Sequence, residues 1–226
     1  AGIPALTQEK SLSASLGFTW KVNNNLNVTL DGYMTKIKDR VVLSGQFDGS
    51  DPDLDANLRA QMAALNVSLA QFFANAVNTT NNGIDIVVDY TKKMGSNRIR
   101  GLFTGNFQNM EIDKINIPAK LSGSEFLRQT FLSDREQKFI LASAPNMKMA
   151  FNFEYGHKKL TAGTRLTYFG KVVLLGYGQD GLGIAPTVPL DNGAGDVPDQ
   201  YNYTGKLVVD LYASYPITKC LTLYGG

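Results

Sequence analysis

The 226 residues hold one cysteine, one histidine and one tryptophan. A single cysteine excludes an internal disulfide framework and a multi-cysteine zinc site. A single histidine excludes a multi-histidine metal centre. No apolar run reaches the ~18 residues that a membrane-spanning helix needs. Excess charge of one sign is also lacking: 22 Lys and Arg face 20 Asp and Glu, a net charge of +2. That balance gives no overall basic field and excludes nucleic acid as a partner. What is plentiful is Gly (22 residues), Asn, Thr and aromatic side chains, a composition that favours strands and turns. With 43% hydrophobic and 19% charged residues, the chain is too apolar for disorder and too polar for a helical membrane bundle. Its length fits one large domain or two small ones.

The dominant pattern has period two. Leu12, Ala14, Leu16, Phe18, Trp20 and Val22 alternate with Ser11, Ser13, Ser15, Gly17, Thr19 and Lys21. After Asn23 to Asn25 the pattern resumes as Leu26, Val28, Leu30 and Met34, then slips phase to Ile37, Val41 and Leu43. The slip predicts a bulge near Lys36. Similar alternation starts at Ile84, Ile99, Met147, Leu160, Leu207 and Leu221, which makes eight strand candidates.

The connections differ by turn. Short turns are expected at Asn23 to Asn25, Lys92 to Asn97, Gly156 to Lys159 and Pro216 to Cys220. Long segments are expected at about 44–76, 113–145 and 171–202, from their breaker residues. In an up-and-down meander, successive connections fall on opposite ends. All short turns then lie at one end and all long loops at the other, the layout of an outer-membrane barrel. A soluble sandwich also alternates, because it buries one face against a second sheet. Two observations favour the membrane barrel. The strands run to about 10 to 19 residues against a usual ~5–6. Aromatic residues Trp20, Tyr90, Tyr155 and Tyr215 stand where strands meet short turns, as a membrane-interface girdle requires. The expected fold class is all-β: an antiparallel up-and-down transmembrane β-barrel segment of about eight long strands, with short helices in its loops.

The long loops carry weaker signals. Leu54, Leu58, Met62, Leu65 and Leu69 repeat at helical spacing and predict a short amphipathic helix within 53–71. Ser122 with Glu125 and Ser133 with Glu136 are capping-box spacings. Asp134-Arg135-Glu136 is a charged cluster that could make lumen-facing ion pairs, but a solvated helix face is the better reading. Between 176 and 200, many Gly and Pro residues preclude regular structure. Asp180, Asp191, Asp196 and Asp199 do not follow the spacing of an EF-hand, so a solvated loop is the better reading than a calcium site. Gly176-x-Gly178-x-x-Gly181 lacks a following helix and so fails as a dinucleotide motif. His157 sits in a Gly/Lys turn and Cys220 in another turn, so neither reads as part of a nucleophile-and-base set. No enzyme and no cofactor or metal is expected. The first residues lack the pattern of a signal peptide. The last, Leu221 to Gly226, begin an alternating strand, which reads as a chain cut inside a sheet.

Several segments together resemble a known family. They are Ser15 to Gly45, Phe72 to Tyr90, Phe131 to Ile140, Thr167 to Val172 and Gly205 to Gly226, with Tyr33 to Val42 the strongest. In that order they resemble the C-terminal barrel portion of TonB-dependent outer-membrane receptors, especially those of Bacteroidetes-type bacteria. The resemblance implies a share of a 22-stranded barrel, which at roughly 28 residues per strand needs ~600 residues. It implies residues 1–226 are one fragment of the barrel domain, with the N-terminal plug domain and the last strands without a counterpart here. It also implies residence in the outer membrane of a Gram-negative bacterium, in contact with its lipid. The implied function is active import of a scarce nutrient (an iron chelate, cobalamin or an oligosaccharide) driven by proton-motive force. The implied partners are that small ligand, the TonB complex acting through the missing N-terminal region, and a surface lipoprotein in the glycan-importing branch. Candidate ligand contacts are the loop residues Phe72, Phe73, Arg128, Asp134, Arg135 and Tyr177, each of which ordinary loop packing also explains. The rival readings are a small passive porin or adhesin barrel and a soluble β-sheet binding domain.

Overall fold

A computed structural model of the chain describes residues 4–52, 54–176, 187–190 and 192–226. Tyr177, Gly178, Asp180, Gly181 and Asp191 lie outside the described residues. So do the expectations that rest on them: the Tyr177 ligand contact, the glycine motif and the complete Asp cluster.

Eight strands form one sheet: β1 (Lys10–Lys21), β2 (Leu26–Leu43), β3 (Phe73–Met94), β4 (Asn97–Ile115), β5 (Met147–His157), β6 (Leu160–Phe169), β7 (Lys206–Pro216) and β8 (Thr222–Gly225). Each pairs antiparallel with its neighbour in sequence, so the topology is an uninterrupted meander. The short connections reduce to tight turns, such as Gly95-Ser96, where Gly95 takes φ +58°. A left-handed residue is what a tight hairpin requires there.

The register explains the alternation. Trp20, Val28, Val88, Phe103, Phe151, Leu166 and Val209 are successive cross-strand partners and form one apolar row. One residue away, Lys21, Asn27, Asp89, Leu102, Asn152, Arg165 and Asp210 form the next row on the opposite face. No second layer covers the apolar face among the described residues: Leu16 is 86% exposed and Leu211 69% exposed. A soluble sandwich would bury those side chains. A membrane barrel turns them to lipid, and the polar face to its lumen.

The apolar band has clear limits. On β4 its outward positions are Ile99, Gly101, Phe103, Gly105 and Phe107; Asn109, Glu111 and Asp113 follow. On β2 the run Leu26 to Met34 gives way to the exposed Lys36 and Lys38. A band of this height matches the ~9–11 residues that a tilted strand needs to cross hydrocarbon. β2, β3 and β4, at 18, 22 and 19 residues, therefore project past the band on the long-loop side. β5 and β6, at 11 and 10 residues, do not. Trp20, Tyr90, Tyr155 and Tyr215 all share the outward parity near the short turns.

The phase slip near Lys36 is a bulge. The β2–β3 register shifts between Ile37 and Arg40, with Asp39 at φ +56°. The Asp39 N–H donates to Asn78 Oδ1 (3.0 Å), and Asn75 Nδ2 donates to the Asp39 carbonyl (2.6 Å). A second shift in β3, at Asn78/Thr79, left no mark in the hydrophobic pattern. On the lumenal face the Tyr33 ring lies over Gly83, where a Cβ would meet it at 2.3 Å. Asn106 Nδ2 donates to the Tyr33 hydroxyl (3.0 Å) and to Asp85 Oδ1 (2.7 Å). A ring laid on a strand glycine fills the gap that the missing side chain would leave.

Ile86 and Val87 test the two faces. Ile86 sits mid-band on the outward face, partnered with Leu30 and Gly105; Val87 faces the lumen. Ile86→Arg is expected to cost about 2–4 kcal/mol in guanidinium unfolding of the bilayer-inserted protein. Val87→Arg is expected to cost much less. The reverse order would mean the faces are assigned the wrong way round.

Candidate functional site

The projecting strand ends and the long loops build a second, dry structure beyond the lipid band. Its core is Phe47, Leu54, Met62, Leu121, Leu127, Phe131 and Leu132, closed from below by Ala74, Ala76 and Val77 of β3. These are the most buried apolar side chains described, with Phe131 at 0% and Phe47 at 1% exposure. The loops are thus folded on each other.

Two helices supply Met62, Leu127 and Phe131 of that core, and a third packs Ile140 against it. Helix α1 (Ala56–Ala64) is capped by Asp55, which accepts from the N–H groups of Asn57 (3.0 Å) and Leu58 (3.1 Å). It is shorter than the helix expected within 53–71, and Leu65, just past its end, is exposed rather than packed. Apolar spacing overextended the helix because Leu54 and Leu69 enter the structure from non-helical backbone. Helix α2 (Glu125–Phe131) is capped by Ser124, not Ser122; Ser122 instead ends a preceding 3-10 turn. Helix α3 (Asp134–Leu141) has the expected capping box of Ser133 and Glu136.

Backbone hydrogen bonds tie the first long loop to the second and close the first on itself. The Gly45 N–H donates to the Phe131 carbonyl (3.0 Å), and the Ser44 N–H to the Phe72 carbonyl (2.9 Å). A Cβ on Gly45 would lie 2.1 Å from the Thr130 carbonyl oxygen, so only glycine allows this approach. Ser44 is buried and satisfied: its hydroxyl donates to the Gly45 carbonyl (2.8 Å) and accepts from the Phe72 N–H (3.2 Å).

The structure separates the sequence candidates. Phe72 lies between Phe47 and Phe131, with ring centroids 5.7 and 5.9 Å away, so its ring holds the loops together. Phe73 is its neighbour on β3 and is exposed. Arg128 pairs with Glu125 on α2 and donates to the Ser122 carbonyl (3.0 Å). Asp134 is exposed in the first turn of α3. Arg135 is half-buried, pairs with Glu136 (3.0 Å) and stacks 4.6 Å above the Phe139 ring.

Helix α3 stands between two cavities. One, of about 430 Å³, is lined by Val42, Leu43, Ser44, Gln71 and, from α3, Arg135, Glu136, Phe139 and Ile140. The other, of about 680 Å³, includes Lys138, Leu141, Asn109, Asn146, Tyr168 and Lys171 in its wall. Of the described candidates, only Arg135 lines either one. Sequence reasoning missed Phe139, Lys138 and Lys171. The α3 capping box was the signal that would have found the first two, because it fixes where the helix starts and hence which side chains share a face. Among the described residues no group of three or more His, Cys, Asp or Glu could hold a metal ion.

An antiparallel wall with one lipid face, one lumenal face and folded loops at one end is the architecture of an outer-membrane barrel. The family model of the TonB-dependent receptor-like β-barrel matches residues 1–226, and the chain belongs to that family. Its members are outer-membrane receptors and transporters, not enzymes. Similar solved structures include the outer membrane transporter YddB from Escherichia coli, at 10% identity and a TM-score of 0.56 over 93% of this chain and 26% of that one. The FrpB iron transporter from Neisseria meningitidis aligns at 15% identity and a TM-score of 0.54, over 95% of this chain and 25% of that one. The chain thus spans about a quarter of the length of the solved structures it resembles. At these identities the likeness is one of fold. Comparison with curated protein sequences finds no match.

Phe131→Ala is expected to remove roughly 3–5 kcal/mol of packing from the loop core. The expected readout is local: faster protease cleavage within 116–146 and faster amide exchange there, with exchange in β5 and β6 unchanged.

Proposed function

We propose that this chain is wall and extracellular loop of an outer-membrane receptor that imports a scarce nutrient with TonB-coupled energy. The observation that carries the reading is the folded loop core on the long-loop end, with cavities of about 430 and 680 Å³ on either side of α3. A passive pore needs an open lumen; a receptor needs shaped, partly apolar clefts facing the medium. The Arg135–Phe139 stack and the Lys138/Lys171 pair offer cationic and aromatic contacts, which suit an anionic chelate or a sugar ring. Family membership and the iron transporter among its structural neighbours support nutrient import.

The sheet itself supports a larger barrel. Among the described residues β1 pairs only with β2 and β8 only with β7, which leaves both outer edges of the sheet unpaired. Hydrocarbon cannot satisfy an open edge, so further strands of the same barrel would complete the wall. The plug and the segment that reaches the TonB complex would come from elsewhere in the full receptor. This reading leaves the outer face of the loops as the place where a surface lipoprotein would sit.

Uptake of labelled ferric chelates, cobalamin and maltooligosaccharides tests the function in cells with and without the gene. One of these is expected to enter only when the protein is present, and a protonophore is expected to abolish that entry. Protein-dependent entry that survives the protonophore would instead establish a passive pore.

A further inference from the structure

We propose that the short-turn end of this wall carries a docking cleft for an acidic protein segment, lined by Lys93, Arg98 and Lys158. The cleft lies between two neighbouring hairpin turns and has a volume of about 330 Å³. Its wall also contains Gly95, Ser96, Asn97, Gly156 and Thr161. It is distinct from the loop cavities, which lie at the opposite end of the strands.

The cleft is shaped by the turns. The Lys158 N–H donates to the Ser96 carbonyl (2.8 Å), which ties the β5–β6 turn to the β3–β4 turn. Lys158 holds a left-handed φ of +50°, rare for a residue with a side chain. Lys93 partners Arg98, Arg98 partners Gly156, and Gly156 partners Thr161 in one cross-strand row. That row has the lumenal parity, two residues along from Arg100 and Glu154. Gly156 puts no side chain between Arg98 and Thr161, which leaves the floor of the cleft open.

The cations lack acidic partners. The nearest acids on this face are Asp89 and Glu154, and Arg100 engages both, at 3.6 and 3.7 Å. Lys93, Arg98 and Lys158 form no ion pair among the described residues. The short turns at this end, 22–25, 91–98, 156–161 and 216–222, contain no Asp or Glu but add Lys92, Lys159 and Lys219. His157 is held on the Asn97 side chain (2.6 Å), which also accepts from the Tyr155 hydroxyl (3.0 Å). Like charges gathered on one rim repel each other, and an anionic partner relieves that repulsion.

The lining selects the partner. No apolar side chain contributes to the cleft, so it offers nothing to a lipid acyl chain. Its volume accommodates one or two carboxylate side chains. The Arg98 guanidinium is suited to bidentate carboxylate recognition, and the Ser96 and Thr161 hydroxyls are additional donors. The lumenal parity presents these groups to a chain entering the barrel from the short-turn side, not to the surrounding membrane.

The test uses the full-length receptor in neutral detergent micelles and a fluorescein-labelled peptide of alternating Glu and Ser. Fluorescence anisotropy is read at low salt and at an ionic strength of about 0.15 M, where the Debye length is near 8 Å. The acidic peptide is expected to bind, and more weakly at the higher salt; its Gln counterpart is expected not to bind. The triple variant Lys93→Gln, Arg98→Gln, Lys158→Gln is expected to lose at least tenfold in affinity. A control triple at the other end, Lys10→Gln, Lys36→Gln, Lys38→Gln, is expected to change it by less than twofold. The charge-reversed variant Lys93→Glu, Arg98→Glu, Lys158→Glu should bind a Lys/Ser peptide instead. That gain of binding cannot arise from misfolding. Equal loss in both Gln triples would overturn the proposal, as would a cleft triple that binds like the parent. So would unchanged peptide binding with lost binding to phosphatidylglycerol micelles, which would identify the partner as lipid.

Discussion

In hydrocarbon, a backbone N–H or C=O that lacks a protein partner has no water to turn to. That constraint sets the form of this molecule. It demands a continuous antiparallel ladder, and the eight strands supply one with every neighbour adjacent in sequence. Once the ladder is fixed, the side-chain period of two divides each strand between lipid and lumen. The sequence then has little freedom. An apolar residue at every second position over about nine residues satisfies the lipid, and the intervening positions are released for charge. Arg100 shared between Asp89 and Glu154 is one use of that freedom, and Tyr33 laid across Gly83 is another.

The constraint ends where the lipid ends. Above the band, β2, β3 and β4 continue as a sheet, but their outward positions turn polar. Here the ladder is kept by ordinary burial. The Phe47–Phe72–Phe131 stack and the Gly45–Phe131 hydrogen bond join two loops that are far apart in sequence. The bulge at Asp39 lies at this transition and re-aims the end of β2, so that Val42 packs against the loop core. The barrel and its loop cap are therefore held by different forces. One depends on the membrane; the other is a small aqueous core.

This difference also decides what was legible in the sequence. All eight strands could be read, because lipid enforces alternation over the band, with only scattered departures such as the lumenal Leu102 and the outward Thr164. The bulge near Lys36 was legible for the same reason, since it breaks that alternation. The shift at Asn78/Thr79 was not, because both sides of it are polar. The loop core was largely hidden. Phe47 and Phe131 have no local pattern that pairs them, and their meeting on either side of Phe72 is a property of the tertiary fold alone. Phe72 illustrates the cost: an aromatic residue in a loop reads equally well as ligand contact or as packing, and its geometry places it between two rings. Ser122 misled for a simpler reason. Two serines stood near the start of α2, and Ser124 is the one whose extended backbone lets its hydroxyl accept from the Leu127 N–H.

The two ends of the strands also divide the electrostatics. A net charge of +2 over the chain suggests no field, yet the short turns collect cations without acids. Whole-chain charge averages over a structure whose strands carry each segment from one side of a membrane to the other. In such a fold the meaningful sum is taken end by end. At the long-loop end both acids and bases occur, and Arg128 and Arg135 find partners within their own helices. At the short-turn end, three cations line a polar cleft whose nearest acids are already engaged by Arg100. Exposed pairs add little to stability, so nothing in folding requires that imbalance. An imbalance that folding does not require is the kind of feature that a partner explains.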